Sequence, residues 1–208
     1  MTDTATTRTL LDLNHVWVDS RPREAVQRLL EGPTLLRLGG PVPGGRVLEV
    51  GCGRGIGMRV ALEQFQVAHV TGVDLHERTL DRAAATLAGT DRSRWSLRQG
   101  DVQRLDDPDA SYDAVFCFHA LHHVEDWPAV LREAARVLRP GGRLYVSEMT
   151  AKIINAPWLR VVSHHPPARR FDTADLLAGV EAAGLRVGGR VREWVGGRAA
   201  LVVADRPR

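Results

Sequence analysis

Arg46-Val-Leu-Glu-Val-Gly-Cys-Gly-Arg-Gly-Ile-Gly57 is the stretch on which the reading of this chain turns. Val47 to Val50 form a short apolar run, and glycine then fills positions 51, 53, 55 and 57. From Ile56 the apolar residues resume at helical spacing, with Val60, Ala61, Leu62 and Phe65 on one face. The pattern predicts strand, glycine-rich turn, helix. Glycine permits positive φ in such a turn and lets a ligand approach bare backbone. A helix start adds unpaired N–H groups and partial positive charge, which suit a carboxylate or a phosphate. The physics therefore predicts a small-ligand site with an anionic group near Gly53 to Gly57.

Outward from that turn, Ala68 to Asp74 reads as a second strand ending in an acid, with a helix from about Glu77 to Leu87 behind it. Trp95 to Gly100 reads as a third strand, followed by Asp101-Val102 and a polar turn from Asp106 to Ser111. Tyr112 to Phe118 is a near-continuous apolar run, as expected of a parallel strand covered on both faces. Asp126 is placed to cap the next helix, with Pro128 in its first turn and Trp127, Val130, Leu131, Ala134, Val137 and Leu138 on its apolar face. Arg139-Pro-Gly-Gly142 stops that helix, and Arg143 to Glu148 read as the fifth strand. Asp172 then precedes a helix to about Ala183, with Asp175 as its third residue. Gly184 begins a sixth strand reaching about Val195, Gly196-Gly197 turns, and Ala199 to Ala204 closes an antiparallel hairpin.

Upstream, Leu10 to Val18 hold an apolar set ending in His15-Val-Trp17. Pro22 starts a helix to about Glu31, with Ala25, Val26, Leu29 and Leu30 facing inward, and Gly32-Pro33 reads as a breaker. The whole reads as one domain: an N-terminal helical flap at 1–45, a ligand-binding core at 46–148, a short substrate-side segment at 149–172, and the last helix with its hairpin at 173–208. Whether the N-terminal helix covers the pocket or only packs on the sheet edge stays open at this level.

At 208 residues the chain suits one domain with a full central sheet. Apolar content of 44% and charged content of 25% are ordinary globular usage. No apolar run approaches the roughly 20 residues of a membrane span. The first residues lack the basic-then-apolar layout of a secretory signal, so a cytoplasmic protein is expected. The formal charge is +3, Lys152 is the only lysine, and the arginines are scattered apart from Arg169-Arg170, which predicts no nucleic-acid partner. Cys52 and Cys117 form no metal-type pair, so reduced packing roles are expected, without metal or disulfide.

Leu48-Glu-Val-Gly-Cys-Gly-Arg-Gly55 resembles motif I of the class I S-adenosylmethionine-dependent methyltransferases. A dinucleotide fingerprint would instead run G-x-G-x-x-G, whereas these glycines alternate. Arg136-Val-Leu-Arg-Pro-Gly-Gly-Arg-Leu144 resembles a turn shared by small-molecule methyltransferases of the ubiquinone/menaquinone-biosynthesis type. With Tyr112-Asp113 and Ala120-Leu-His-His123, the resemblance covers about Arg46 to Glu148 in order. It implies a Rossmann-like, doubly wound α/β sheet of seven strands, mostly parallel, with an antiparallel strand near the C-terminus. S-adenosyl-L-methionine is the implied cofactor, S-adenosyl-L-homocysteine the product, and a small-molecule acceptor, methylated on oxygen or carbon, the partner. A binding protein that transfers nothing and an NAD(P)-dependent oxidoreductase are the alternatives.

The resemblance implies that Glu49, Gly51, Cys52, Gly53 and Gly55 line the methionine end. Asp74, 25 positions after Glu49, and the adjoining Leu75 would hold the ribose side. A carboxylate suits two vicinal hydroxyl donors, although Asp74 also fits as a helix N-cap. Asp101 would accept from the adenine amino group with Val102 against the ring, although Gly-Asp is also common turn chemistry. Phe118 and His119 would face the methionine moiety and the opening to the acceptor. A base is needed only where the acceptor loses a proton, and histidine titrates near neutrality; His119 is the candidate. His123, His164 and His165 are candidate acceptor contacts. Asp126 is explained by capping, so the nearby His122, His123 and Glu125 predict no metal site. No Asn/Asp-Pro-Pro-aromatic motif follows the fourth strand, which removes the usual signature of base-amino methylation. The segment before the last helix is short for a full lid, which leaves either an open pocket or a homodimer whose second copy closes it.

Overall fold

The computed structural model describes residues 21–155 and 171–208. The chain starts with α1 (Arg21–Val26), a π-helical turn (Gln27–Glu31) and α2 (Gly32–Gly39) in direct succession. Then come β1 (Arg46–Val50), α3 (Ile56–Gln64), β2 (His69–Asp74), α4 (Glu77–Leu87) and β3 (Trp95–Gln99). β4 (Tyr112–Phe118), α5 (Trp127–Val137) and β5 (Leu138–Met149) follow. The chain closes with α6 (Ala151–Ile154), α7 (Thr173–Ala182), β6 (Val191–Trp194) and β7 (Ala199–Asp205). The seven strands form one sheet in the order β3-β2-β1-β4-β5-β7-β6. β1 to β5 pair in parallel, while β7 is antiparallel to both β5 and β6. This is the expected doubly wound arrangement. Among the described residues no helix is long and apolar enough to cross a membrane.

Alternate strand residues feed two cores. Leu48, Val115, Cys117, Leu144, Val146 and Val202 pack with α5 and α7 on one face. Val47, Ala114, Phe116, Phe118, Tyr145, Leu201 and Val203 pack with α3 and Leu35 on the other. The second core centres on Phe65, whose ring meets Phe116 at 4.9 Å and Tyr145 at 5.2 Å, both edge-on. Covering on both faces is why β4 has no polar alternation. The capping reading holds for α5, where Asp126 accepts from the Ala129 amide, and for α7, where Asp172 and Asp175 form a reciprocal capping box.

Two motif residues act at the far edge of the sheet. Arg136 Nη1 donates to the Asp107 carbonyl at 2.7 Å, and Nη2 donates to the Leu105 carbonyl at 2.9 Å. Asp113 accepts from the Arg46 amide at 2.8 Å and from Arg139 at 2.6 Å. The Arg136–Leu144 turn is thus a brace that clamps the loop before β4.

The structure corrects four expectations. Gly32-Pro33 does not break the N-terminal helix. The π-helical turn ahead of it bonds the Gly32 N–H to the Gln27 carbonyl, and the widened turn accommodates a proline that would clash in a uniform α-helix. Gly32 serves closeness instead, since a Cβ there would lie 2.6 Å from Gln64 Oε1 and 2.7 Å from Val60 Cγ1. The same turn shifts the buried face. Ala25 and Val26 are exposed, Leu29 and Leu30 are 71% and 53% exposed, and Gln27 and Glu31 are buried in their place. The sixth strand is also shorter than expected, because Gly188 and Gly189 take φ of +57° and +76° and leave Arg186 as an isolated bridge to Asp205, with the continuous ladder confined to Val191–Trp194. β5, by contrast, extends back to Leu138 through a register shift opposite Tyr112.

These burial differences set a stability contrast. Leu35→Ala should cost about 2–5 kcal/mol, whereas Leu29→Ala should stay within about 0.5 kcal/mol. Denaturant midpoints of the two variants check this; equal losses would return Leu29 to the core.

Candidate functional site

The glycine turn joins β1 to α3 at the C-terminal edge of the parallel strands. Gly51, Gly53 and Gly55 take positive φ, as the alternation predicts, and Gly57 does not. Gly57 is required by crowding: a Cβ there would overlap Glu49 Oε1 and lie 2.6 Å from Phe118 Cδ2. The predicted anion site at Gly53 is corrected by the hydrogen bonding. The Gly53 amide donates to Asp74 Oδ2 at 2.9 Å, and the His76 amide donates to Asp74 Oδ1 at 3.1 Å. The amide of Met58, in the first turn of α3, is taken by Glu49. Two carboxylates from the protein itself therefore meet the positive end of this turn and helix. His76, not Asp74, is the N-cap residue of α4.

Glu49 is buried, and its Oε2 has no hydrogen-bond partner. Burial, with the nearby Asp74 charge, outweighs the Met58 amide and pushes its carboxyl well above the usual range. A buried carboxyl with one bare oxygen is completed by a cationic or hydrogen-bond-donating ligand, which fits the ammonium end of an S-adenosylmethionine-type cofactor. Cys52 is buried beside it, and burial raises its thiol. Nothing lies within 4 Å of where a Gly53 Cβ would stand, so the turn has open space on that side.

Asp74 ends β2, and the Gly100 amide donates to its carbonyl at 3.0 Å, which brings the end of β3 beside it. Leu75 is exposed and Val102 buried. Asp101 makes the turn that its sequence allowed, with Oδ1 accepting from the Gln103 amide at 2.9 Å and both oxygens meeting Gln103 Nε2.

Phe118 and His119 follow at the end of β4. Phe118 is buried and stacked on Phe116 at 6.1 Å. His119 has φ of +55°, uncommon for a residue with a Cβ. Its Nε2 lies 3.0 Å from both Glu31 oxygens and 3.5 Å from Ser147 Oγ, and its Nδ1 is buried without a hydrogen-bond partner. Arg23 Nη1 donates to Glu31 Oε1 at 3.1 Å. Burial would raise Glu31, but His119, Arg23 and Ser147 together outweigh it and hold the carboxyl at about 2. His122, whose ring lies edge-on to that of His119 at 6.3 Å, is held by Glu148: its Nδ1 lies 2.7 Å from Glu148 Oε2, while Glu148 Oε1 accepts from the Leu121 amide at 2.7 Å. Cys117 Sγ lies 3.9 Å from the same Oε1. This buried set fixes the loop after β4. His123 is exposed, with its ring 4.0 Å from that of His122. His164 and His165 lie outside the described residues, as do His15 and Trp17. Among the described residues no group of three or more His, Cys, Asp or Glu side chains is placed to hold a metal.

Sequence reasoning missed Glu31, Ser147 and Glu148. One signal was present for Glu148: like Asp74, it is an acid at the end of an apolar strand in a parallel sheet. Glu31 had none, since a uniform helix places it elsewhere.

Comparison with known proteins agrees with this fold. A family profile described as a methyltransferase domain matches residues 48–146. The 27-O-demethylrifamycin SV methyltransferase of Amycolatopsis mediterranei is 38% identical over 148 residues, covering 66% of this chain and 51% of that protein. The ubiquinone biosynthesis O-methyltransferase of Paracidovorax citrulli is 38% identical over 144 residues, covering 65% and 58%. A crystal structure of an S-adenosylmethionine dependent methyltransferase from Mesorhizobium loti superposes with a TM-score of 0.67 at 25% identity, covering 84% of this chain and 96% of the other. The chain spans about half the length of the curated relatives it matches.

Two outcomes follow from the geometry. Gly57→Ala forces a methyl group between Glu49 and Phe118, and overpacking of this kind costs about 1–3 kcal/mol; thermal unfolding of the variant measures it. Because the Glu31 carboxyl is held at about 2 against an ordinary 4.5, the folded state binds fewer protons than the unfolded chain between those values. The stability this contributes is complete above about 4.5 and is lost as pH falls toward 2. Acid unfolding of Glu31→Gln should lack that component, and an unchanged pH dependence would count against the ion pair.

Proposed function

From the methyltransferase-domain match and the 38% identity to two methyltransferases, we propose that this chain is a class I S-adenosylmethionine-dependent methyltransferase that transfers a methyl group to an oxygen or carbon of a small or medium-sized organic acceptor. The observation that carries this reading is the pair of carboxylates, Glu49 and Asp74, set against the glycine turn. They favour a ligand that brings positive charge and hydroxyl donors. A nicotinamide dinucleotide would instead bring its pyrophosphate dianion against two acids that have already taken the amides of Gly53 and Met58.

S-adenosylmethionine, when bound, supplies an electrophilic methyl group on a positively charged sulfur and leaves as S-adenosylhomocysteine. The task left to the protein is alignment and exclusion of water. Glu49 accepts at the methionine end, in the open space beside Gly53. Asp74 keeps its two amide bonds and still has lone pairs for ribose hydroxyls. Leu75, Val102 and the outward side of Asp101 flank the adenine. His119, at the end of β4, is assigned to the acceptor side and takes the acceptor's proton where one must be lost. His123, with His164 and His165, is assigned to the acceptor side.

Calorimetric titration with S-adenosylmethionine, S-adenosylhomocysteine and NADH tests the assignment. The first two should bind at micromolar affinity and NADH should not; binding of NADH alone would overturn the reading. Asp74→Ala should weaken S-adenosylhomocysteine binding by about 1.5–3 kcal/mol, the range for hydrogen bonds to a charged group. A folded variant with unchanged affinity would remove Asp74 from the site.

A further inference from the structure

Two unusual backbone conformations converge on one contact. The π-helical turn at Gln27–Glu31 carries Glu31 inward from the N-terminal helix, and π-turns inside helices are frequent at functional sites. Across from it, His119 is held in the left-handed region at φ +55°. Strain of this kind persists where the surrounding structure imposes it, and it clusters at active sites. Together they bring the His119 Nε2 to 3.0 Å from both oxygens of Glu31.

The chemistry of the contact fixes the ring. Glu31 is ionised, and Arg23 at 3.1 Å supports that charge. A carboxylate only accepts hydrogen bonds, so the nitrogen facing it carries the hydrogen. In the neutral imidazole the lone pair then falls on Nδ1, the ring atom that is buried and without a hydrogen-bond partner. His122 is held through the opposite ring nitrogen, with Nδ1 at Glu148, and has a backbone conformation outside the left-handed region.

We propose that Glu31 is a positioning residue: by accepting from Nε2–H it fixes the tautomer of His119 and presents Nδ1 as the proton acceptor toward the methyl acceptor's O–H. The role rests on the methyltransferase reading above. As the acceptor oxygen forms its bond to the methyl carbon, its proton passes to Nδ1. The electron pair of the breaking C–S bond stays on sulfur as the thioether, and the proton later leaves Nδ1 for water. Glu31 stays ionised throughout and touches neither reactant.

The test is nitrogen-detected NMR of the full chain labelled in its histidine rings, with His119→Asn assigning the resonance. In the wild type His119 should be a single tautomer, with hydrogen on Nε2 and a bare Nδ1. Glu31→Leu, close in size and unable to accept, should lose that preference and populate both tautomers. Glu31→Gln, whose amide both donates and accepts, should lose part of it, and Glu31→Asp should restore it. Hydrogen on Nδ1 in the wild type, or an unmoved tautomer in a folded Glu31→Leu or Glu31→Gln variant, overturns the proposal. A Glu31 contact that does not accept from Nε2–H would not move this signature. S-adenosylhomocysteine titration runs in parallel. Unchanged affinity in Glu31→Gln supports a role confined to the acceptor's proton, and loss of binding only in that variant overturns it. Failure of the wild type to bind sinks the methyltransferase reading, and with it the role, while the tautomer result still decides the pairing.

Discussion

Val47, Leu48 and Glu49 of β1 are paired on both sides, with β2 through Val70, Thr71 and Gly72 and with β4 through Ala114, Val115 and Phe116. Because these ladders are parallel and in step, β1, β2 and β4 end at one edge of the sheet. Glu49, Asp74 and His119 arrive there without any loop having to carry them far. The apolar strands on both faces make that edge rigid, and side chains placed by rigid elements are held more closely than those on loops. Any slip of β1 by one residue would send Glu49 to the opposite face of the sheet.

The same edge explains a balance of charge. A glycine turn feeding a helix is ordinarily an invitation to an anion, yet here Asp74 and Glu49 occupy two of its amides. The turn's positive end is thereby neutralised from within, and the side chains set against it are acidic rather than basic. One local motif can therefore serve opposite ligand charges, and the residues at the ends of neighbouring strands decide which.

Much of this was legible in the sequence, and the parts that were not share a cause. Strands such as Tyr112–Phe118 and helices such as Glu77–Leu87 are fixed by local periodicity and were readable to the residue. The alternation of Gly51 to Gly57 announced the turn and, with Asp74, the site. The Gln27–Glu31 turn was not readable, because a helical wheel assumes 100° per residue and the chain departs from it there. That assumption put Leu29 and Leu30 inside and left Glu31 without a role. The hydrogen bonds of Asp74 were equally hidden, since a spacing of residues reveals a carboxylate but not which amides it has already taken. Gly188 and Gly189 were visible, but their positive φ, which cuts the sixth strand short, was not.

The π-helical turn amounts to a helix carrying extra residue length within a single turn. Removing one residue between 27 and 31 would let the segment relax to a uniform α-helix, swinging everything upstream by about 100° relative to α2. Arg23 would leave Glu31, and the apolar side chains now facing water would turn toward the sheet. The register of this helix is therefore a count as much as a composition. Substitutions along its outer face should be absorbed, whereas insertions or deletions of one residue should be purged from the chain's descendants.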